Sequence, residues 1–174
     1  MPGKFKKLFE PEMLVAISAI VVSLCALIVS IHESTIMRES QFAAVWPYMG
    51  LNTSFGPDYF RLSVSNDRIG PAKIKYIKFH DQDTAFYFTH NFISYFNKKD
   101  SIGIKNYQYS NVTGTVIRAS ETIELFSIND TSAVKNFIRK FGSYDFEICY
   151  CSVFDECWLK TETDYIACKT CPDL

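Results

Sequence analysis

MLVAISAIVVSLCALIVSI, residues 13–31, decides the architecture of this chain: 19 residues without a charge. At 1.5 Å rise per residue such a helix is about 28 Å long, close to the ~30 Å hydrocarbon core of a bilayer. A buried core helix would be shorter and amphipathic, whereas this one is apolar all round. Lys4, Lys6 and Lys7 precede the stretch, and only Arg38 is basic within a comparable distance after it. The positive-inside rule then keeps residues 1–12 in the cytoplasm and exports the chain beyond the span. A cleavable signal peptide needs a shorter apolar region and a small-x-small site close behind it. Phe42-Ala43-Ala44 lies too far on. A lipoprotein site at Val22-Ser23-Leu24-Cys25 would place bulky Leu24 where a small residue is wanted. The stretch therefore reads as a single-pass signal anchor in the lipid bilayer.

Within it, Ala16, Ala19, Ser23, Ala26 and Ser30 recur at spacings of 3, 4, 3 and 4. Small side chains let two helix backbones approach in lipid, and spacing near 3.5 favours a left-handed crossing of about +20°. The stripe predicts a helix-packing face for a second copy of the chain or another membrane protein. The alternative is that Ala and Ser are simply common in membrane spans. Beyond the span, residues 32–45 contain no Gly or Pro, and Pro47 biases Trp46 out of helix. Helix is thus expected from about residue 12 to 45, with 32–47 as juxtamembrane helix and linker. Type IV pilins share this plan, but Phe9-Glu10-Pro11 does not supply their processing site.

Residues 48–174 form the exported domain. The whole chain has 174 residues with 18 Lys+Arg against 19 Asp+Glu, a net charge of -1, so nothing electrostatic draws it to nucleic acid. At 48% hydrophobic and 16% aromatic it is not disordered. Residues 59–65 alternate, with Phe60, Leu62 and Val64 toward a core and Arg61, Ser63 and Ser65 toward water. Asn66 to Pro71 is a turn cluster. Residues 72–80 make the next strand, whose apolar parity slips between Ile74/Tyr76 and Ile77/Phe79, predicting a β-bulge between the two pairs. Further strands are read at 114–119, 121–128, 146–153 and 157–163, the last two as a hairpin. Residues 132–141 place Val134, Phe137, Ile138 and Phe141 on one helical face, with Gly142 as a C-terminal cap. Residues 84–97 stack Phe88, Phe92 and Phe96 as a short helix or a loop. Those rings are a ligand platform or, more simply, core. The fold class expected is mainly β: an immunoglobulin-like antiparallel β-sandwich with one or two short helices behind a long N-terminal transmembrane helix.

The segment Phe60-x-Leu-x-Val-x-Asn66 followed by Gly70-Pro71-Ala72-x-Ile74 resembles the Asn-x-Gly-x-Gly-Pro-Ala segment of a group of uncharacterised bacterial proteins. Glu121-Thr122-Ile123-Glu124-Leu125 and Ile148-Cys149-Tyr150-Cys151-Ser152-Val153 to Cys157-Trp158 are similar to the same group. The resemblance implies one N-terminal span and an exported β-sandwich, and it implies no activity. Asp67-Arg68 stands where that group has a Gly. In physical terms, Gly70 supplies an unusual backbone conformation and Pro71 stops pairing before Ala72.

Six cysteines are present, Cys25 in the span and five among the last 26 residues. Cys149, Cys151, Cys157, Cys168 and Cys171 could set four thiolates around zinc, but disulfides are the default in an oxidising compartment. If Phe154 is the loop centre, Cys151 faces Cys157 at roughly 4.5–5.5 Å, within reach of a disulfide that closes a small loop. Cys149 then faces Leu159, so its partner, if it has one, is Cys168 or Cys171. Five is odd, so one domain cysteine is left over. A redox pair at Cys168-x-x-Cys171 lacks a following helix N-terminus to lower a thiol pKa. His80-Asp81-Gln82-Asp83 lacks calcium-loop spacing. Sequons at Asn52, Asn111 and Asn129 matter only in a eukaryotic secretory pathway. No catalytic motif, cofactor fingerprint or metal signature is visible. The function expected is a membrane-anchored envelope interaction or accessory module with a periplasmic or extracellular domain. Its alternatives are an enzyme whose site is not visible as a motif and a pilin-like structural subunit.

Overall fold

The computed structural model describes residues 11–81 and 84–171. Lys4, Lys6 and Lys7, Gln82 and Asp83 lie outside them. The chain divides into two units, 1–43 and 44–174.

The described part of the first unit is one helix, α1 (Pro11–Ala44), and none of the helix residues is buried. Pro11 sits at the first helical position, where its missing N–H costs nothing. An apolar helix with no protein cover needs another solvent, because each exposed Leu, Ile or Val would cost about 1.5–3 kcal/mol in water. α1 is long and apolar enough to cross a bilayer, and it is the membrane anchor of the domain. Ser23 donates its hydroxyl to the Ala19 carbonyl at 2.7 Å, so that polar group is satisfied inside the helix. Arg38, past the apolar stretch, lies 5.6 Å from the Phe42 ring centroid.

Among the described residues, the second unit carries ten strands and two helices. One sheet has the order β1-β2-β7-β5, from β1 (Met49–Phe55), β2 (Phe60–Asn66), β7 (Thr122–Ile128) and β5 (Tyr107–Tyr109). The other has the order β10-β9-β8-β3-β4, from β10 (Tyr165–Cys168), β9 (Cys157–Lys160), β8 (Asp145–Cys151), β3 (Ala72–Asp81) and β4 (Thr84–Phe86). Short β6 (Val116–Ile117) pairs with β3. All the pairings are antiparallel.

Neither sheet curls or closes, and with 36% helix against 34% strand the protein is mixed α/β. The expected immunoglobulin-like β-sandwich is therefore not the fold. The reason lies in α2 (Thr89–Asp100) and α3 (Thr131–Phe141). Their aromatic faces complete the core where a sandwich would use closing strands. Phe92 of α2 stacks on Phe79 of β3 at 4.6 Å, and Phe96 meets Phe137 of α3 at 4.5 Å. Phe137 lies 4.9 Å from Phe60 of β2. One aromatic cluster thus joins a strand of each sheet to both helices. Asp130 caps α3 by accepting the Ser132 backbone N–H at 3.1 Å. At the rim, Asp81 accepts from Lys99 and from the Tyr95 hydroxyl, and the Lys99 ammonium holds its carboxyl below the usual carboxylate range.

Several local expectations change. β1 has no counterpart in the sequence-based reading, and its Asn52 amide donates to Ser65 Oγ at 2.9 Å, so Ser65 is buried rather than solvent-facing. The β3 bulge falls between Ile74 and Tyr76, one step early, so Tyr76 opposes Cys149 while Ile74 and Ile77 oppose Tyr150 and Ile148. Residues 84–97 split into β4 and most of α2; Phe92 and Phe96 are core, and Phe88 is exposed. Gly142 ends α3 at φ -65, so the C-cap does not use glycine's left-handed freedom. Gly70 is needed for close approach instead, because a Cβ there would lie 1.6 Å from the Val45 carbonyl oxygen.

These two glycines make a paired prediction. Gly70→Ala forces backbone apart and destabilises the domain by about 3 kcal/mol. Gly142→Ala meets nothing within 4 Å and stabilises by about 0.5 kcal/mol through the unfolded state. Urea unfolding of the two variants checks both the signs and the contrast.

Candidate functional site

The densest chemistry in the described residues lies on one face of the second sheet. Directly opposed residues of an antiparallel pair share a side, and so do alternate residues along a strand. Lys73, Cys151, Cys157 and Cys168 are successive partners across β3, β8, β9 and β10 and form one row. Tyr76, Cys149, Leu159 and Ile166 form the next row, and Lys78 and Glu147 belong to a third. The opposite side carries Ile74, Ile148 and Tyr150 into the core.

Two disulfides lie here. Cys151 bonds Cys157, its direct partner in register, with Cα atoms 4.0 Å apart. Cys149 bonds Cys171, with Cα atoms 5.8 Å apart. Cys171 follows β10, so that bond fastens the chain after the last strand to the centre of the sheet. Cys149, Cys151 and Cys157 are buried. The Cys151 and Cys171 sulfurs of different bridges are 3.9 Å apart. Sulfurs of Cys151, Cys157 and Cys171 all lie within 4.8 Å, the crowding of a thiolate metal site. Here each of them is already bonded to another sulfur.

Cys168 is a free thiol, half-buried, and burial pushes its pKa up. It borders an open cleft of about 420 Å³ lined also by Asp155, Glu156 and Lys169. Asp155 pairs with Lys73 at 3.0 Å, which lowers its carboxyl pKa, and it is solvent-exposed. Beside Cys149, the Tyr76 hydroxyl donates to Glu147 at 2.6 Å and Lys78 reaches the same carboxylate at 3.0 Å. Burial first, then Glu147, pushes the Tyr76 phenol pKa up.

The other predicted positions are spread out. Ala16, Ala19, Ser23, Ala26 and Ser30 lie exposed along α1. His80 stands next to Asp81, whose carboxylate is occupied by Lys99 and Tyr95. His90 meets the Tyr107 hydroxyl at 3.1 Å. Reasoning from sequence missed the Tyr76–Glu147–Lys78 group, since its members come together only through the bulge. It also left Cys149 between two partners, because no register extends to residue 171.

Loop length separates the two bonds energetically. The Cys149–Cys171 bond spans 22 residues and the Cys151–Cys157 bond spans 6. Loop-closure entropy gives about 3 kcal/mol for the first and about 2 kcal/mol for the second. Chemical unfolding of the double variants is the check: Cys149→Ser/Cys171→Ser loses about 1 kcal/mol more than Cys151→Ser/Cys157→Ser. No family model, curated protein or solved structure matches the chain.

Proposed function

We propose that this chain is a membrane-anchored interaction or accessory module of the bacterial envelope, with its N-terminus in the cytoplasm and its domain outside. The observation that carries the proposal is the pairing of four of the five domain cysteines in two disulfides. Disulfides persist on the oxidising side of a membrane and are rare in the reducing cytosol. The lysines before the span favour the same orientation. An interaction role, rather than catalysis, is supported by the open sheets. Among the described residues, β1, β5, β10 and β4 are the end strands of the two sheets, and an end strand is where a sheet can accept another chain. The ionisable groups of the cleft at Cys168 include Asp155, which is exposed and tied to Lys73, an arrangement that suits solvation better than acid–base chemistry.

Within the bilayer, the stripe of Ala16, Ala19, Ser23, Ala26 and Ser30 is the proposed contact for a second copy or another membrane protein. The Ser23 hydroxyl is engaged with Ala19, so close backbone approach and dispersion, not a serine bridge, would carry it.

Two assays test these statements separately. A reporter enzyme that works only outside the cytoplasm, fused after Leu174, should be active; activity confined to a cytoplasmic reporter reverses the topology. In a membrane two-hybrid assay, joint replacement of Ala19, Ser23 and Ala26 by Leu should weaken association several-fold. Leu at Ile20, Val21 and Cys25 should leave it unchanged. Equal signals from both triple variants would make the helix an anchor only.

A further inference from the structure

Cys157 stands between two cysteines. Cys151 of β8 is its partner on one side and Cys168 of β10 is its partner on the other. All three side chains share a face, because each pair is directly opposed. Opposed residues in an antiparallel pair have Cα atoms about 4.5 or 5.5 Å apart, and disulfides span roughly 4.4–6.8 Å. The backbone therefore permits Cys157 to bond either neighbour. Its sulfur can hold only one bond at a time, and the structure has it on Cys151 with Cys168 free.

We propose that this row is a thiol–disulfide exchange site in which Cys168 attacks Cys157 and displaces Cys151. Exchange proceeds by attack of a thiolate on one sulfur of a disulfide, with the other sulfur departing. Strand order β10-β9-β8 puts the attacking Cys168 and the departing Cys151 on opposite flanks of Cys157, as an in-line displacement needs. A Cys157–Cys168 bond forms as the Cys151–Cys157 bond breaks. The electron pair of the broken bond leaves on Cys151, which takes up a proton equivalent to the one Cys168 lost. No oxidant or reductant is consumed.

A second exchange continues from the first. Before any proton is taken up, the Cys151 thiolate faces Cys171 Sγ, 3.9 Å away in the starting arrangement. Its attack forms Cys151–Cys171, breaks Cys149–Cys171 and leaves the electron pair on Cys149, which is then protonated. One free thiol is thereby moved from the outermost strand to a fully buried position, at constant disulfide count. Attack by Cys168 is governed by its thiolate fraction. Burial keeps that fraction low at neutral pH, so the site is slow there and quickens in alkali.

The test uses the full chain in lipid nanodiscs. The wild type is held at pH 7, 8 and 9, quenched in acid, alkylated and mapped as non-reduced peptides. The expected result is a Cys157–Cys168 linked peptide whose rate of appearance rises about tenfold per pH unit, with Cys151 or Cys149 newly alkylated. Cys168→Ser should abolish that peptide. Only Cys168 alkylated at every pH would overturn the proposal. In Cys151→Ser, exposure to glutathione disulfide should join Cys157 to Cys168 and leave neither of them free. An intact Cys149–Cys171 bond reports the retained fold, and both thiols alkylated in that folded variant would overturn the proposal equally.

Discussion

Asn66, the last residue of β2, has no exposure to solvent, and its side-chain amide is saturated with hydrogen bonds. Nδ2 donates to the Gly70 carbonyl at 2.7 Å and the Ile117 carbonyl at 3.2 Å. Oδ1 accepts from the Tyr48 backbone at 3.4 Å and the Arg68 backbone at 3.3 Å. Its own backbone bonds Glu121 and Ser120, both at 2.9 Å. One residue therefore fixes four places: its side chain holds the entry to β1, the turn from β2 to β3 and strand β6, and its backbone holds the loop before β7. An unpaired buried amide costs about 1–3 kcal/mol per group, so a partly satisfied Asn66 would be worse than none. The arrangement is all-or-none, and it selects one path for the turn. That path carries Gly70 against the Val45 carbonyl, where no side chain fits.

Asn66 belongs to the first sheet and Ile117 to the second, so this amide also ties the sheets together. Beside it, Tyr150 is fully buried and accepts the Met49 backbone N–H at 3.3 Å, while Trp46 donates its indole N–H to the Tyr165 hydroxyl at 2.9 Å. Away from the amide the tie is apolar, through Phe60, Phe79, Phe92, Phe126 and Phe137. Polar saturation supplies direction at one place, and aromatic burial supplies most of the free energy at the other. With both in place the sheets need not close on each other to share one core.

Much of this was readable from residues alone where a local rule decides. Phe60, Leu62 and Val64 alternate because one face of β2 is core. Val134, Phe137 and Phe141 repeat as a helix does. The register of β8 with β9 follows from the loop centre, which sets Cys151 opposite Cys157. The failures share a cause. Alternation says that a strand has an apolar face and says nothing of whether a sheet or a helix covers it, so an immunoglobulin-like sandwich was the wrong extrapolation. Tyr76 is amphipathic and fits either side, so the parity slip in β3 revealed a bulge but misplaced it. Asn52, Thr53 and Ser54 hid β1, because an edge strand with polar outward residues lacks the usual pattern.

The sulfur face obeys the same geometry. Cys149 points away from the core side that Ile148 and Tyr150 occupy, yet it has no exposure. Something must cover it, and the Cys149–Cys171 bond brings the chain after β10 back to that place. A four-residue end strand and the few residues from it to Cys171 bury little apolar area and would detach readily without a covalent tie. The disulfide substitutes for the core that this side of the sheet lacks. The Cys151–Cys157 bond, closing a loop of a hairpin already in register, is far less needed for that purpose. It is the bond that can be exchanged without loosening the fold, and it is the one next to the free thiol of Cys168.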